Sequence, residues 1–372
     1  MIRTTLVAAL LVSTPALAQT EAELFAKAKE IQAKVISIDT HVDIPFDFAS
    51  PAYDMMKPGV RGQQVHIPTM IEGGLDVPFL IVYMGQGERT VSGYAKAAAD
   101  AFTKFSAIHR ATDELYKDHL ELALTAADVR RIVGSGKKAT VIGMENGYAI
   151  GKDLRLLDAY YDYGARYLGL LHNGHNDLGD SAQPNRTKKE PDAEHNGLSP
   201  LGKQVVTRLN ELGIMADISH ASMKTALDMI AKSKAPVIAS HSSVKGVFDH
   251  PRNVSDDVLD AIKKNGGVVQ IVAFDPYLRA APAEKTQAIA ALQRRPWGSV
   301  AAPISIGFNP DSCRPTRPNS PPSRTPGRKP GWPIWSTIWT MPSNASASIT
   351  WESRPISTAA AGFAAGPMRR KP

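Results

Sequence analysis

The sequence predicts an α/β protein built as a (β/α)8 TIM barrel with its eighth strand missing. Three observations carry this expectation. Short apolar runs alternate with helical segments between the two ends of the chain, which implies parallel strands joined by right-handed crossovers. The runs are rich in Val, Ile and Leu, as strands covered on both faces are. Side chains able to bind metal or move protons fall at the C-terminal ends of the strands, where barrel enzymes gather their chemistry. That placement favours a barrel over an open doubly wound sheet.

Residues 1–18 read as a secretory signal: Arg3 is the charged start, residues 6–12 the apolar stretch, and Ala16-Leu17-Ala18 a small-residue cleavage site. The mature chain is expected to begin near Gln19 and to be periplasmic or secreted. The apolar stretch is too short to remain as a bilayer anchor, and no cysteine follows it to carry a lipid. Residues 19–299 are expected to form the barrel, opening with a helix over 21–34. Strands are expected at 35–39, 77–84, 139–144, 166–171, 214–219, 236–240 and 267–274. Helices between them include 93–119, 154–163, 201–212, 223–232 and 255–264. The loop 173–199, rich in Asn, Asp, Gly and Lys, would overhang the mouth.

A single cysteine, Cys313, rules out a disulfide framework, so stability must come from one large core. The net charge of +7 suggests nucleic acid or anionic membrane until its distribution is considered. Residues 300–372 hold nine Lys or Arg against Asp311 and Glu352, which leaves residues 1–299 neutral. The same tail carries four of the five tryptophans and frequent proline, and no helix or strand period survives in it. It reads either as a disordered appendage or as the product of a wrong reading frame.

The chemistry begins at His41-Val-Asp43. Alternate residues of an extended strand share a face, so this spacing aims an imidazole and a carboxylate at one point. Alone the signal is weak, since a strand-end histidine is more often a hydrogen-bonded structural residue. Later strand ends add Glu145, His172, His220 and His241. Imidazole nitrogens and carboxylate oxygens both suit zinc, and this set suffices for two ions. A shared carboxylate would let two metals activate one water and polarise one carbonyl together.

These residues stand in five ordered motifs: Ile38-Asp-Thr-His-Val-Asp43, Gly143-Met-Glu-Asn146, Leu170-Leu-His-Asn-Gly-His-Asn-Asp-Leu-Gly-Asp-Ser181, Ala216-Asp-Ile-Ser-His220, and Ala235-Pro-Val-Ile-Ala-Ser-His-Ser-Ser243 followed by Arg252-Asn253. Over residues 35–277 the set resembles the membrane (renal) dipeptidase family, whose bacterial members are exported zinc dipeptidases. The resemblance implies that His41 and Asp43 bind one Zn2+, that His220 and His241 bind a second, and that Glu145 bridges them. It further implies that His172 stabilises the oxyanion of the tetrahedral intermediate and that Arg252 pairs with the substrate's free carboxylate. An arginine offers a bidentate fork for such a carboxylate, and a positioned imidazole is a suitable donor to developing charge. The implied reaction is hydrolysis of a dipeptide by a hydroxide shared between the metals. Expected partners are therefore two Zn2+ ions and a dipeptide substrate, without nucleic acid and without a transmembrane anchor; a homodimer is left open.

Other polar residues have plainer readings. His175 and His250 match no ligand position and read as loop or surface residues. Asp39 and Asp217 either bond backbone or orient a ligand. Tyr160, Tyr161 and Tyr163 suggest a helix face against the barrel, and Arg252 could equally form a surface salt bridge.

The family also places a carboxylate at the end of strand eight, within Gly-(Ser/Thr)-Asp-Phe-Asp-Gly, and residues 278–372 contain no match. Read one nucleotide out of frame, with codons chosen within degeneracy, residues 347–360 recode as Gly-Ile-Asp-His-Val-Gly-Ile-Ser-Thr-Asp-Phe-Asp-Gly-Gly. A frameshift beginning between about Lys285 and Cys313 would account for both the tail and the lost strand. Loss of a general acid/base costs about 10²- to 10⁴-fold in rate, so the chain as written is expected to be impaired. Two rival functions are another binuclear metal amidohydrolase and a non-catalytic exported metal-binding protein. The first usually requires a bridging lysine after strand four, where this chain has His172.

Overall fold

A computed structural model describes residues 20–57 and 64–293; the expected signal sequence and the tail 300–372 lie outside them. The described residues divide into two units, 20–37 and 38–293. In the first, the described element is a helix, Glu21–Gln32. Thr20 starts it with a reciprocal cap: its hydroxyl accepts the Glu23 N–H, and the Glu23 carboxylate accepts the Thr20 N–H.

The second unit is a parallel barrel open at one seam. Its strands are β1 (Ile38–Asp43), β2 (Val77–Tyr83), β3 (Leu120–Leu122), β4 (Lys138–Glu145), β5 (Ala165–Gly169), β6 (Met215–Asp217), β7 (Ile238–Ser242) and β8 (Val268–Ile271). Seven of them pair in the order β1-β2-β4-β5-β6-β7-β8, all parallel, while the short β3 joins β4 off that path. No pairing joins β8 back to β1 among the described residues. Among the described residues the (β/α)8 plan is thus present with seven strands on the barrel path and no strand closing β8 onto β1, in line with the expected incomplete barrel.

Burial follows from strand alternation. β2 reads Val-Pro-Phe-Leu-Ile-Val-Tyr, and six of its seven residues are buried because both faces are covered. Val77, Phe79 and Ile81 join Val141, Tyr167 and Ile238 in one cluster. The intervening Leu80 and Val82 belong to a second cluster with Ile142, Met144 and Leu168, against the crossover helices. Beside the seam this protection lapses: Val268 and Val269 are half-buried and Ile271 is 59% exposed.

Several boundaries differ from expectation. The first strand runs over Ile38–Asp43 instead of 35–39, because pairing with β2 continues through Val42 opposite Leu80 and Asp43 opposite Ile81. Its register slips between Asp39 and Val42, beside Pro78, which has no N–H to give the ladder. His41 thus sits at an irregularity within the strand. The helix expected to reach residue 119 ends at Arg110, followed by one π turn, Ala111–Leu115, and then β3. Tyr116 anchors the change of direction: it is buried, and its hydroxyl accepts the Met55 N–H at 3.1 Å. The three residues of β3 are too few to show a period. Of the three tyrosines expected on one helix face, Tyr160 is fully buried and bonds the Ala149 carbonyl. Tyr161 instead covers the Arg166 guanidinium, and Tyr163, past the helix end, is 39% exposed. No described helix is long and apolar enough to cross a membrane.

Candidate metal centre

Glu145 closes β4, and its carboxylate meets three imidazoles. Oε1 lies 2.9 Å from Nε2 of His220 and 3.3 Å from Nε2 of His241, while Oε2 lies 3.5 Å from Nε2 of His41. Those of His220 and His241 face each other at 3.0 Å. The Asp43 carboxylate stands 3.7 Å from His41 Nε2, on the solvent side, with its side chain 66% exposed. His172 follows β5 and packs beside His220, ring centroids 4.2 Å apart, with Nδ1 3.4 Å from the Tyr83 hydroxyl. Two groups of ligand-type atoms result, each within 4.8 Å: His41 with Glu145 and His241, and Glu145 with His172 and His220. His172 thus shares a group with Glu145 and His220, whereas Asp43 lies at the rim.

Burial disfavours charge on each of these groups. It pushes His220 well below the ordinary imidazole value and lowers His172 and His241 too. For His41 the same burial is outweighed by the attraction of Glu145, aided by Asp43 and Asp217, and its value is raised. Burial also opposes ionisation of Glu145, yet His41, His220 and His241 hold its carboxyl well below the usual range. An ionised carboxylate among largely neutral, converging imidazoles is a donor set suited to divalent metal. Two imidazole Nε2 atoms at 3.0 Å, one of them on a ring whose buried Nδ1 has no partner among the described residues, fit a site that a cation would complete.

Beneath the cluster, Asp217 at the end of β6 is buried and fully used. Oδ1 accepts the N–H groups of Ser219 and Ser240 at 3.0 and 2.9 Å, and Oδ2 accepts the Ser240 hydroxyl at 2.6 Å. With that hydroxyl proton committed, Ser240 Oγ accepts from Nδ1–H of His241 at 2.8 Å. His241 therefore presents Nε2 as a lone pair. Both readings of Asp217 hold together: it bonds backbone and orients a histidine. Asp39, by contrast, is exposed and accepts the His41 N–H at 3.0 Å.

Sharp turns bring these groups to the mouth. Asn146, next to Glu145, and His220 adopt positive φ of 73° and 66°, unusual for non-glycine residues. The loop 173–199 is pinned by Asp180, whose carboxylate accepts the N–H groups of Glu194, His195 and Gly197. His175 belongs to this loop but not to the surface. Its ring is fully buried, Nδ1 accepting the Ser181 N–H and Nε2 donating to the Pro191 carbonyl, each at 3.0 Å. His250 is half-buried, and its Nδ1 accepts the Arg252 N–H.

Arg252 is 2% exposed, which removes the surface salt bridge. Nη2 donates to the His241 carbonyl at 3.3 Å, the guanidinium lies 5.3 Å from the Tyr277 ring centre, and Nε has no partner among the described residues. Sequence reasoning also missed Lys104. Its ammonium is buried, donates to the Ile44 carbonyl at 2.8 Å and faces the Phe46 ring. Burial pushes it down to about 8, against the attraction of Asp43, Glu145 and Asp100. A signal existed: Lys104 shares the buried stripe of Ala97, Ala101, Phe105 and Ile108, where the helical period calls for an apolar residue.

Comparison with known proteins identifies the family. The profile of the membrane dipeptidase family (peptidase family M19) matches residues 25–312. Dipeptidase tcpJ of Claviceps purpurea is 36% identical over 225 residues, covering 59% of this chain and 51% of that protein. Dipeptidase verJ of Clonostachys rogersoniana is 33% identical over 255 residues, covering 66% and 64%. The chain thus spans about half to two thirds of the length of these relatives. The crystal structure of the probable dipeptidase PvdM from Pseudomonas aeruginosa matches with a TM-score of 0.67 and 31% identity, over 74% of this chain and 69% of that one. Ordered motifs, an open parallel barrel and a family match over most of the sequence lead to one conclusion: this chain belongs to the membrane dipeptidase family.

Proposed function

We propose that the chain is built as a dipeptidase holding two Zn2+ ions, with its activity impaired by the loss of the last barrel strand. The observation that carries this is the division of the Glu145 carboxylate, one oxygen toward His220 and His241 and the other toward His41. A bridging ligand needs that division. His41 and Asp43 would then hold one ion, and His220 and His241 the other. Such a pair supplies an activated water and polarises the scissile carbonyl. His172, kept neutral by burial, donates a hydrogen bond to the developing oxyanion. Arg252 is buried and has no carboxylate partner among the described residues, so the carboxylate of a dipeptide suits it as a bidentate partner. Relatives named as dipeptidases support the same substrate class.

The defect rests on three further facts. Residues 278–372 lack the family's last acidic motif, the family match stops at residue 312, and the composition shifts over the same stretch. A frameshift between about Lys285 and Cys313 accounts for all three. The secretory signal would send the protein to the periplasm or beyond, which N-terminal sequencing of exported protein tests by a start near Gln19.

Hydrolysis of a panel of dipeptides by the zinc-loaded chain and by a frame-restored version tests the function. The expected outcome is weak or no turnover by the first and a gain of about 10²- to 10⁴-fold in the second. A frame-restored, zinc-loaded protein that cleaves no dipeptide overturns the proposal in favour of a non-catalytic metal-binding role.

A further inference from the structure

Tyr167 stands in the middle of β5 with no exposed surface. Its hydroxyl lies 3.0 Å from the Thr40 carbonyl oxygen and 3.0 Å from Nδ1 of His41. A phenol has one proton to give, and a carbonyl can only accept. That proton therefore goes to Thr40, so Nδ1 of His41 must carry its own hydrogen and donate it to the phenol oxygen. In the neutral ring Nε2 is then left as a lone pair, and Nε2 is the atom that faces Glu145 at 3.5 Å and Asp43 at 3.7 Å.

The phenol is held in place from several sides. Across from it, Gly143 of β4 has no side chain, and a Cβ there would fall 2.3 Å from the ring Cζ. Phe79 stacks on the ring, centroids 5.9 Å apart and planes 20° from parallel. Thr40 is fixed in turn, its hydroxyl donating to the Ser240 carbonyl at 2.6 Å.

We propose that Tyr167 is the positioning residue of His41: its phenol holds the imidazole as the Nδ1–H tautomer and so presents Nε2 to the ion shared with Asp43 and Glu145. The metal half of this statement rests on the two-ion reading above, whereas the tautomer does not. The three imidazoles are then held unequally. Tyr167 orients His41, Asp217 orients His241 through Ser240, and the buried Nδ1 of His220 has no partner among the described residues.

Tyr167→Phe keeps the stacked ring and deletes the hydroxyl. In metal-free protein with labelled histidine, at a pH above the raised titration range of His41 so that its ring is neutral, ring nitrogen NMR reads each tautomer directly, and loss of one signal in His41→Gln assigns His41. The wild type is expected to show His41 as Nδ1–H, and Tyr167→Phe to show it shifted toward Nε2–H. Titration of stripped protein with Co2+, followed by visible absorption, is expected to weaken one of two ions about 10- to 100-fold and to leave the other unchanged. An unaltered His41 tautomer in Tyr167→Phe overturns the positioning role, as does wild-type affinity for both ions. A wild type that binds no ion refutes the two-ion reading, while the tautomer spectrum still decides the role of Tyr167.

Discussion

The hydroxyl of Ser240 lies 2.8 Å from Nδ1 of His241, the residue that follows it in β7, and passes that imidazole's hydrogen bond on to the buried Asp217 carboxylate. Removing the hydroxyl leaves the two backbone N–H bonds to Asp217 intact, so the fold is preserved while His241 is released. Ser240→Ala is expected to weaken one bound ion by about 10- to 100-fold, the usual effect of losing an orienting partner. Competition with a chromophoric chelator measures it, and unchanged affinity would remove the relay from the account.

Lys104 makes stability depend on pH in a defined direction. Its folded value, about 8, lies below the 10.5 of an unperturbed lysine. Below pH 8 both folded and unfolded forms are protonated, and the cost of burying the charge is fully present. Between the two values the unfolded chain binds the proton more tightly, so stability rises with pH, by about 3 kcal/mol across the window. Asp43, Glu145 and Asp100 are the charges facing it. Urea unfolding of metal-free protein should show this rise in the wild type and its loss in Lys104→Met; equal slopes would contradict it.

Two glycines separate packing from backbone freedom. Gly143→Ala would drive a methyl into the Tyr167 ring and is expected to destabilise by about 1–3 kcal/mol, disturbing Glu145 two residues on. Gly134 ends a helix with nothing within 4 Å of an added Cβ, so Gly134→Ala should be neutral or stabilising by up to about 1 kcal/mol. Thermal melts of the pair decide this, and the reverse order would contradict it.

Arg252→Lys keeps the charge but loses the fork. In frame-restored protein, KM for a dipeptide is expected to rise about 10- to 100-fold, matching the loss of one charge-assisted hydrogen bond, with metal content unchanged. An unaltered KM would mean that the substrate carboxylate binds elsewhere.

The barrel was legible because its strands are compact apolar runs, most of them followed by a polar residue with chemistry to do, as Val141-Ile142-Gly143-Met144 is by Glu145. His220 and His241, at or just past the ends of β6 and β7, were legible for the same reason, since a strand end is a fixed address at the barrel mouth, whereas His41, inside β1, was legible from its spacing to Asp43. What lies beneath that mouth was not. Tyr167 and Thr40 sit in a strand where their types suit the core equally well, and only the turn of the barrel brings β5 and β1 within hydrogen-bond reach. His175 looked like a loop residue because nothing local shows that Ser181 and Pro191 fold over it. The extent of β1 was misread because its pairing partner, not its own composition, decides where it ends.

The central claim is that the Glu145 carboxylate joins two metal ions. Elemental analysis of zinc-loaded, dialysed protein tests it most directly, with circular dichroism to confirm that each variant is folded. About two zinc ions per chain are expected for the wild type and no more than about one for Glu145→Gln, whose amide has a single acceptor oxygen. One ion or none in the folded wild type, or two still bound in Glu145→Gln, would contradict it.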